Sequence, residues 1–368
     1  MSERAAWAEV DLGAIAANAT TLAVRAAPAA LCAVVKANGY GHGATAVARA
    51  ALEGGATWLA VALTAEGAEL RDAGISAPIL LLSEPPTDEH ADVVRFDLTP
   101  TVYTEDGIES LARAARGALG VHLKIDTGMH RVGVAPGAAV ALAKFVLAHR
   151  QLRLDGVWTH VAVADEPGHP ATAVQHERFV SGLADLHAAG IDVPLAHVAN
   201  SAATIDQPSL HHDLVRCGIA LYGLDPSPQL AGRVALRPAM RLVSRVSHVQ
   251  VVPAGDAVSY GLRRALTADS VVATVPIGYA DGVPRRLFDV GAELLVGGKR
   301  RPIAGVITMD QLMVDCGDDE VRRGDEVVLI GEQGSERVGA EEWAALLGTI
   351  SYEIVCGISS RVPRRYVG

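Results

Sequence analysis

Eight short apolar segments, separated by stretches able to hold crossover helices, constrain the fold of this chain more than any other feature. They read as strands over Leu31–Val35, Trp58–Ala62, Pro78–Leu82, Asp97–Val102, Gly120–Asp126, Leu154–Val161, Leu195–Val198 and Leu214–Tyr222. Amphipathic stretches over Ala44–Glu53, Thr64–Ala73, Glu105–Ala115, Ala138–His149 and Thr172–Ala189 fill the larger intervals, with shorter ones near Asp88–Val94 and Ser201–Asp206. Strands alternating with helices imply a parallel sheet. Eight such units within about 200 residues predict a (β/α)8 barrel. A doubly wound open sheet would carry an early G-x-G-x-x-G turn. Gly39-Tyr-Gly-His-Gly43 matches that only loosely, and no acidic ribose partner follows.

The ends of the chain have a different pattern. Trp7–Leu12 is a short alternating segment, and Asp11 is placed to cap a helix from Leu12 to about Ala27. Beyond Pro226-Ser-Pro-Gln the text becomes Val-rich and alternating. Strands are expected over Arg241–Val252, Ser270–Pro276, Glu293–Val296, Pro302–Thr308, Gln311–Asp315 and Glu326–Ile330, with a short helix at Ala340–Leu347. The expected α/β organisation is an N-terminal (β/α)8 TIM-like barrel over residues 1–235 and a C-terminal mostly-β domain over 236–368. A net charge of -10 argues against a basic nucleic-acid face. No apolar run approaches a membrane span, and the first residues lack a signal core, so a soluble cytoplasmic protein is expected. Cys32, Cys217, Cys316 and Cys356 are scattered, which predicts reduced core or near-core thiols and no metal site.

In a barrel, chemistry collects at the carboxyl ends of the strands. Here the first strand delivers Lys36 and Tyr40, the fifth Lys124, Asp126 and Arg131, and the sixth His160. The seventh delivers His197, Asn200 and Ser201, and the eighth Arg216, Gly218 and Ile219. Polar side chains at five strand ends are hard to explain by packing alone. A lysine at the exit of an apolar strand loses solvation, which lowers its pKa and suits it to Schiff-base chemistry. Ser201 at a helix mouth and the Gly218–Ile219 turn offer backbone amides to an anion. Together they point to pyridoxal phosphate, with the lysine on its aldehyde and the amides on its phosphate.

At these residues the chain resembles the alanine racemase family of barrel-type pyridoxal phosphate enzymes. The matching motifs are Ala33-Val-Val-Lys-Ala-Asn-Gly-Tyr-Gly-His-Gly43, Lys124-Ile-Asp-Thr-Gly-Met-His-Arg-Val-Gly133, Thr159-His160, His197-Val-Ala-Asn-Ser201 and Arg216-Cys-Gly-Ile-Ala-Leu-Tyr-Gly223. Val258-Ser-Tyr-Gly261, Ile277-Gly-Tyr-Ala-Asp-Gly282, Thr308-Met-Asp-Gln311 and Ile350-Ser-Tyr-Glu353 follow in the family's order. The resemblance implies a homodimeric enzyme that interconverts L- and D-alanine and supplies D-alanine for peptidoglycan. Lys36 then holds the cofactor, and Tyr40, Ser201, Gly218, Ile219 and Tyr352 surround its phosphate. His160, Asn200 and Arg216 lie beside the ring. Arg131 serves the substrate carboxylate and the cofactor's phenolic oxygen, steadied by Lys124, which is carbamylated in many members. Tyr260 is the second base; Met309 and Asp310 line the substrate pocket and Tyr279 its gate, with Tyr260, Met309 and Asp310 supplied by the partner subunit. Val306 stands where many members have an arginine at the substrate entrance.

Two other functions stand beside this one. A racemase of the same fold acting mainly on another amino acid, such as serine, shares every motif above. A non-catalytic pyridoxal phosphate binding protein resembles the barrel alone and leaves the β domain and Tyr260 unexplained. Singly, His197 reads as a hydrogen-bonded core histidine and is left out of the site.

Overall fold

The structure, a computed structural model, describes residues 5–368. The chain divides into two compact units, one of residues 13–238 and one combining 1–12 with 239–368.

The second unit begins with β1 (Ala6–Asp11). The barrel unit supplies β2 (Ala30–Val34), β3 (Trp58–Val61), β4 (Ile79–Leu81), β5 (Thr101–Val102), β6 (Leu119–Lys124), β7 (Leu152–Trp158), β8 (Leu195–His197) and β9 (Leu214–Cys217). These pair in parallel as β4-β3-β2-β9 and β5-β6-β7-β8. Leu80 and Thr99 bridge the first group to the second. Asp213 and Arg216 N–H donate to Ala196 and Ala199 carbonyls and close the other seam. No sheet edge is left open, which defines an eight-stranded barrel.

Local chemistry sets the crossovers. Helix Ala44–Glu53 buries Ala44, Val47, Ala48 and Ala51, one face at helical spacing. It stops at Gly54, where a Cβ would lie 2.3 Å from the Ala16 carbonyl oxygen. Thr104 caps helix Glu105–Ala114 by accepting from Gly107 N–H at 3.0 Å. The strand expected over Leu214–Tyr222 ends at Cys217, because Gly218 turns the chain into a single 3-10 turn, Ile219–Tyr222.

In the other unit the strands are β10 (Met240–Arg245), β11 (His248–Val252), β12 (Ser270–Val275), β13 (Glu293–Val296), β14 (Lys299–Pro302), β15 (Leu312–Asp315), β16 (Glu326–Gln333), β17 (Glu336–Val338) and β18 (Arg364–Val367). One sheet runs β14-β13-β16-β10-β1-β18, with β17 on β16; the other runs β11-β12-β15. The expected division at residue 235 therefore needs correcting at the start of the chain. β1 pairs antiparallel with β10 and parallel with β18, and Ala6, Trp7, Ala8 and Val10 are buried. The strand expected over Pro302–Thr308 lies earlier, as Lys299–Pro302. It forms a hairpin with β13 through Gly297 and Gly298, both at positive φ (62° and 73°) as this turn requires. Cys32, Cys217 and Cys316 are buried thiols as expected, whereas Cys356 is exposed.

Candidate active site

The barrel's polar strand ends converge. Val35 ends the apolar run, and Lys36 follows directly. The chain then enters a left-handed turn, with φ of 53° at Ala37, 52° at Asn38, 60° at Gly39 and 50° at Tyr40. Left-handed L-residues cost about 1–2 kcal/mol each, so the turn needs external support. Ala37 N–H donates to Glu66 Oε1 at 2.6 Å, and Ala44 N–H to Asn38 Oδ1 at 3.0 Å. The turn carries Tyr40 back over Gly218, where a Cβ would lie 2.4 Å from the Tyr40 hydroxyl. The Tyr40 ring stacks on Tyr222 at 4.8 Å, and Tyr222 Oη donates to the Val34 carbonyl at 3.0 Å. Ser201 Oγ accepts from Gly218 N–H at 2.9 Å. Tyr40, Ser201, Gly218 and Ile219 thus form one cluster. Asn200 caps the following turn, its Oδ1 accepting from Ala203 N–H at 3.0 Å.

Arg216 is buried and bonded through both terminal nitrogens. It donates to Thr159 and Val198 carbonyls at 2.8 and 3.0 Å, to His197 Nδ1 at 2.8 Å and to His160 Nδ1 at 3.3 Å. Its guanidinium lies over the Trp158 ring at 4.5 Å. Burial lowers its pKa to about 10, which leaves it charged at neutral pH. A guanidinium only donates, so the bond to His197 decides a tautomer. His197 Nδ1 accepts, its Nε2 carries the proton, and that proton goes to His122 Nδ1 at 2.9 Å. His122 then carries its own proton on Nε2, a buried atom with no hydrogen-bond partner among the described residues. Burial is the main cause holding His122 down to about 4 and His197 well below the usual histidine range.

Lys124 is also buried, its Nζ 4.3 Å from the Trp158 ring centroid. Burial first, then the charges of Arg131 and Arg216, push its ammonium down to about 7. His160 is held well below the usual range by burial and by Arg216, Arg131, Lys124 and Lys36. All these cations therefore act on one small volume. Asp126 turns away to the loop, where its Oδ1 accepts from Gly128, Met129 and His130 N–H. Burial raises its pKa, but these donors outweigh it and leave the carboxyl below its ordinary value.

Tyr260, Tyr279, Met309, Asp310 and Tyr352 belong to the other unit. Tyr260 is 73% exposed, and Met309 and Tyr279 are also exposed. Tyr279 and Ala280 N–H donate to Thr308 and Met309 carbonyls, which locks these two segments together. Arg361 bridges buried Asp281 and Asp310. Val306 is buried. His122, His197 and Trp158 were not among the expected site residues. The signal for His122 is its parity with Lys124 in β6, which aims both side chains to the same face.

A family model described as "Alanine racemase, N-terminal domain" matches residues 10–226, and "Alanine racemase, C-terminal domain" matches residues 239–366. The chain belongs to the alanine racemase family. The alanine racemase of Symbiobacterium thermophilum is 48% identical over 370 residues, covering 99% of this chain and 98% of the relative. That of Frankia casuarinae is 45% identical, covering 98% and 96%. Among solved structures, alanine racemase from D-cycloserine-producing Streptomyces lavendulae superposes with a TM-score of 0.94 at 41% identity, covering 100% of this chain and 98% of that one. The Bacillus anthracis alanine racemase solved with bound L-Ala-P gives 0.94 at 40% identity, covering 100% and 96%. Alanine racemases are isomerases, and the family's two-domain α/β organisation is the one described above. Among the described residues, no helix is long and apolar enough to cross a membrane.

Proposed function

We propose that this protein is a cytoplasmic homodimer that interconverts L- and D-alanine with pyridoxal phosphate and supplies D-alanine for peptidoglycan. The observation that carries this reading is the cluster at the barrel's carboxyl end. A lysine, an anion cradle and a buried arginine there match the aldehyde, phosphate and ring nitrogen of one cofactor. The fit is chemical: Gly218 has no side chain under Tyr40, and Arg216 offers a donor where other chemistries require an acid. When bound, the cofactor withdraws electrons from the substrate Cα and makes its proton removable.

The chain's own residues do the rest. Lys36 would hold the cofactor with Tyr40, Ser201, Gly218, Ile219 and Tyr352 about its phosphate, and His160 and Asn200 beside the ring. Lys36 Nζ removes or returns the Cα proton on one face, and Tyr260 Oη does so on the other. Arg131 binds the substrate carboxylate, while Tyr279, Met309 and Asp310 bound the pocket. Arg216 keeps its own protons, because the Thr159 and Val198 carbonyls hold its guanidinium in place and its charge persists at neutral pH. That limits proton return to the cofactor and favours racemisation over transamination. A Lys124 pKa of about 7 leaves much of the amine neutral at physiological pH. The neutral amine is the form that adds carbon dioxide, forming an N–C bond and releasing a proton. The resulting carbamate steadies Arg131. The exposure of Tyr260 supports its delivery to a partner subunit's barrel.

The test is borohydride reduction of the purified yellow enzyme, followed by peptide mapping and a chiral assay with alanine, serine and lysine. Label on the Lys36 peptide and racemisation of alanine are expected. Label on another lysine, or turnover of serine alone, would overturn the reading.

A further inference from the structure

Ser259 has φ 69° and ψ -171°. That corner of backbone space is essentially reserved for glycine, since a Cβ there crowds its own backbone. The residue is nonetheless a serine, and its Oγ donates to the Val306 carbonyl at 2.7 Å. The anchor is firm on both sides. Val258 and Gly305 form a parallel bridge, and a Cβ on Gly305 would lie 2.2 Å from the Val258 carbonyl oxygen and 3.0 Å from the Ser259 Cβ. Ala257 bridges Ala265 at the loop's base, and Arg264 donates to the Ile303 carbonyl. Beyond Ser259, Gly261 and Leu262 also have positive φ, and Leu262 N–H returns to the Ser259 carbonyl at 3.3 Å. The result is a clamped base with an exposed tip, where Tyr260 and Leu262 are 73% and 69% exposed.

We infer that Ser259 is the positioning residue for Tyr260. Its hydroxyl pins a backbone conformation that an L-residue does not otherwise hold, and that conformation sets the direction in which the next side chain leaves the loop. Glycine would permit this conformation without imposing it. Alanine would keep the crowding and lose the tether. Because the acceptor is a backbone carbonyl, the device works with valine at position 306. The inference rests on the reading of Tyr260 as the second base.

The test uses holoenzyme carrying Ser259→Ala, Ser259→Gly or Tyr260→Phe. L- and D-alanine are equally stable, so kcat/KM must fall equally in both directions and cannot locate the defect. Cα-deuterium isotope effects, measured separately for each enantiomer, do locate it. If Ser259 aims Tyr260, activity follows Ser > Gly > Ala, with a loss of about tenfold for Ser259→Ala. The isotope effect then rises for the enantiomer deprotonated by Tyr260 and falls for the other, as in Tyr260→Phe. Lower activity with unchanged isotope effects in the Ser259 variants, against a clear asymmetry in Tyr260→Phe, overturns the inference. No asymmetry in Tyr260→Phe itself overturns the reading of Tyr260 instead. Ser259→Gly, which relieves the backbone, still decides the matter if Ser259→Ala does not fold.

Discussion

His122 offers the most direct test of the buried chain behind Arg216. Burial holds its folded pKa to about 4, against an unperturbed value of 6.5. As pH falls, the unfolded chain therefore takes up a proton before the folded one does. The stability that comes from keeping His122 neutral is fully present above about pH 6.5 and is lost as pH falls toward about 4. Single-site linkage puts the loss between pH 7 and pH 5 at about 2 kcal/mol, and the full loss at about 3 kcal/mol. His122→Asn should remove this dependence without breaking the chain, because an Asn Oδ1 takes the place of Nδ1 and still accepts from His197 Nε2–H. Its urea midpoint at pH 7 should stay near that of the parent, and its loss on moving to pH 5 should be smaller by about 2 kcal/mol. His122→Phe should behave differently. It leaves the His197 proton without an acceptor, at a cost of about 1–3 kcal/mol, and loosens the ring that accepts from Arg216. Urea unfolding followed by tryptophan fluorescence at pH 7, 6 and 5 gives the stabilities, and the racemase assay at pH 8 gives the activity. An identical acid loss in the parent and His122→Asn would show that His122 is not the neutral group the geometry requires.

Three further outcomes are expected. Arg216→Glu should slow racemisation on the order of 100-fold and raise transamination, measured as pyruvate formed from alanine, since a carboxylic acid shares a proton where arginine withholds one. Gly218→Ala should push the Tyr40 hydroxyl out of place and weaken cofactor retention about tenfold, read by equilibrium dialysis of the apoenzyme. Mixing Lys36→Ala and Tyr260→Phe, each with only residual turnover alone, under subunit exchange should restore activity to about a quarter of the parent level, one intact site in each mixed dimer. Exchange without recovered activity would mean that both bases come from one chain.

Much of the barrel was legible because its strands are short apolar runs bounded by turn residues, and helix Ala44–Glu53 coincides with its expected bounds. The misplaced elements have nonlocal causes. β1 is buried by partners far along the chain, Ala6 opposite Ser244 for example, and nothing near residue 6 announces that. β14 reads Lys-Arg-Arg-Pro, a poor strand by hydrophobic pattern. It is an edge strand of its sheet, where charge and proline are favoured because they prevent further pairing. The buried chain of His122, His197 and Arg216 joins three strands. Its register is set by pairings such as His122 with Gly156 and Trp158 with His197. Gly156 makes the room, since a Cβ there would lie 2.8 Å from the His122 ring. Read alone, His197 was an ordinary core histidine; its role follows only from what Arg216 donates to it.

What periodicity could not reveal follows a rule of its own. Among the described residues, eight that are not glycine have positive φ: Ala37, Asn38, Tyr40, Asp97, His130, His212, Ser259 and Leu262. Six of these eight, all but Asp97 and His212, fall beside Lys36, Arg131 or Tyr260. Each costs the folded state energy that an ordinary turn would avoid. Two of them are stabilised in ways local sequence does not disclose: Glu66 reaches across to Ala37, and Val306 accepts from Ser259. The barrel is where local preference and fold agree, so pattern reading finds it. The candidate site is where they disagree, because a reacting group must be aimed from a backbone that would otherwise relax. A run of left-handed residues after an apolar strand, held by a carboxylate from the next crossover, is therefore stronger evidence of a site at Lys36 than the glycines around it.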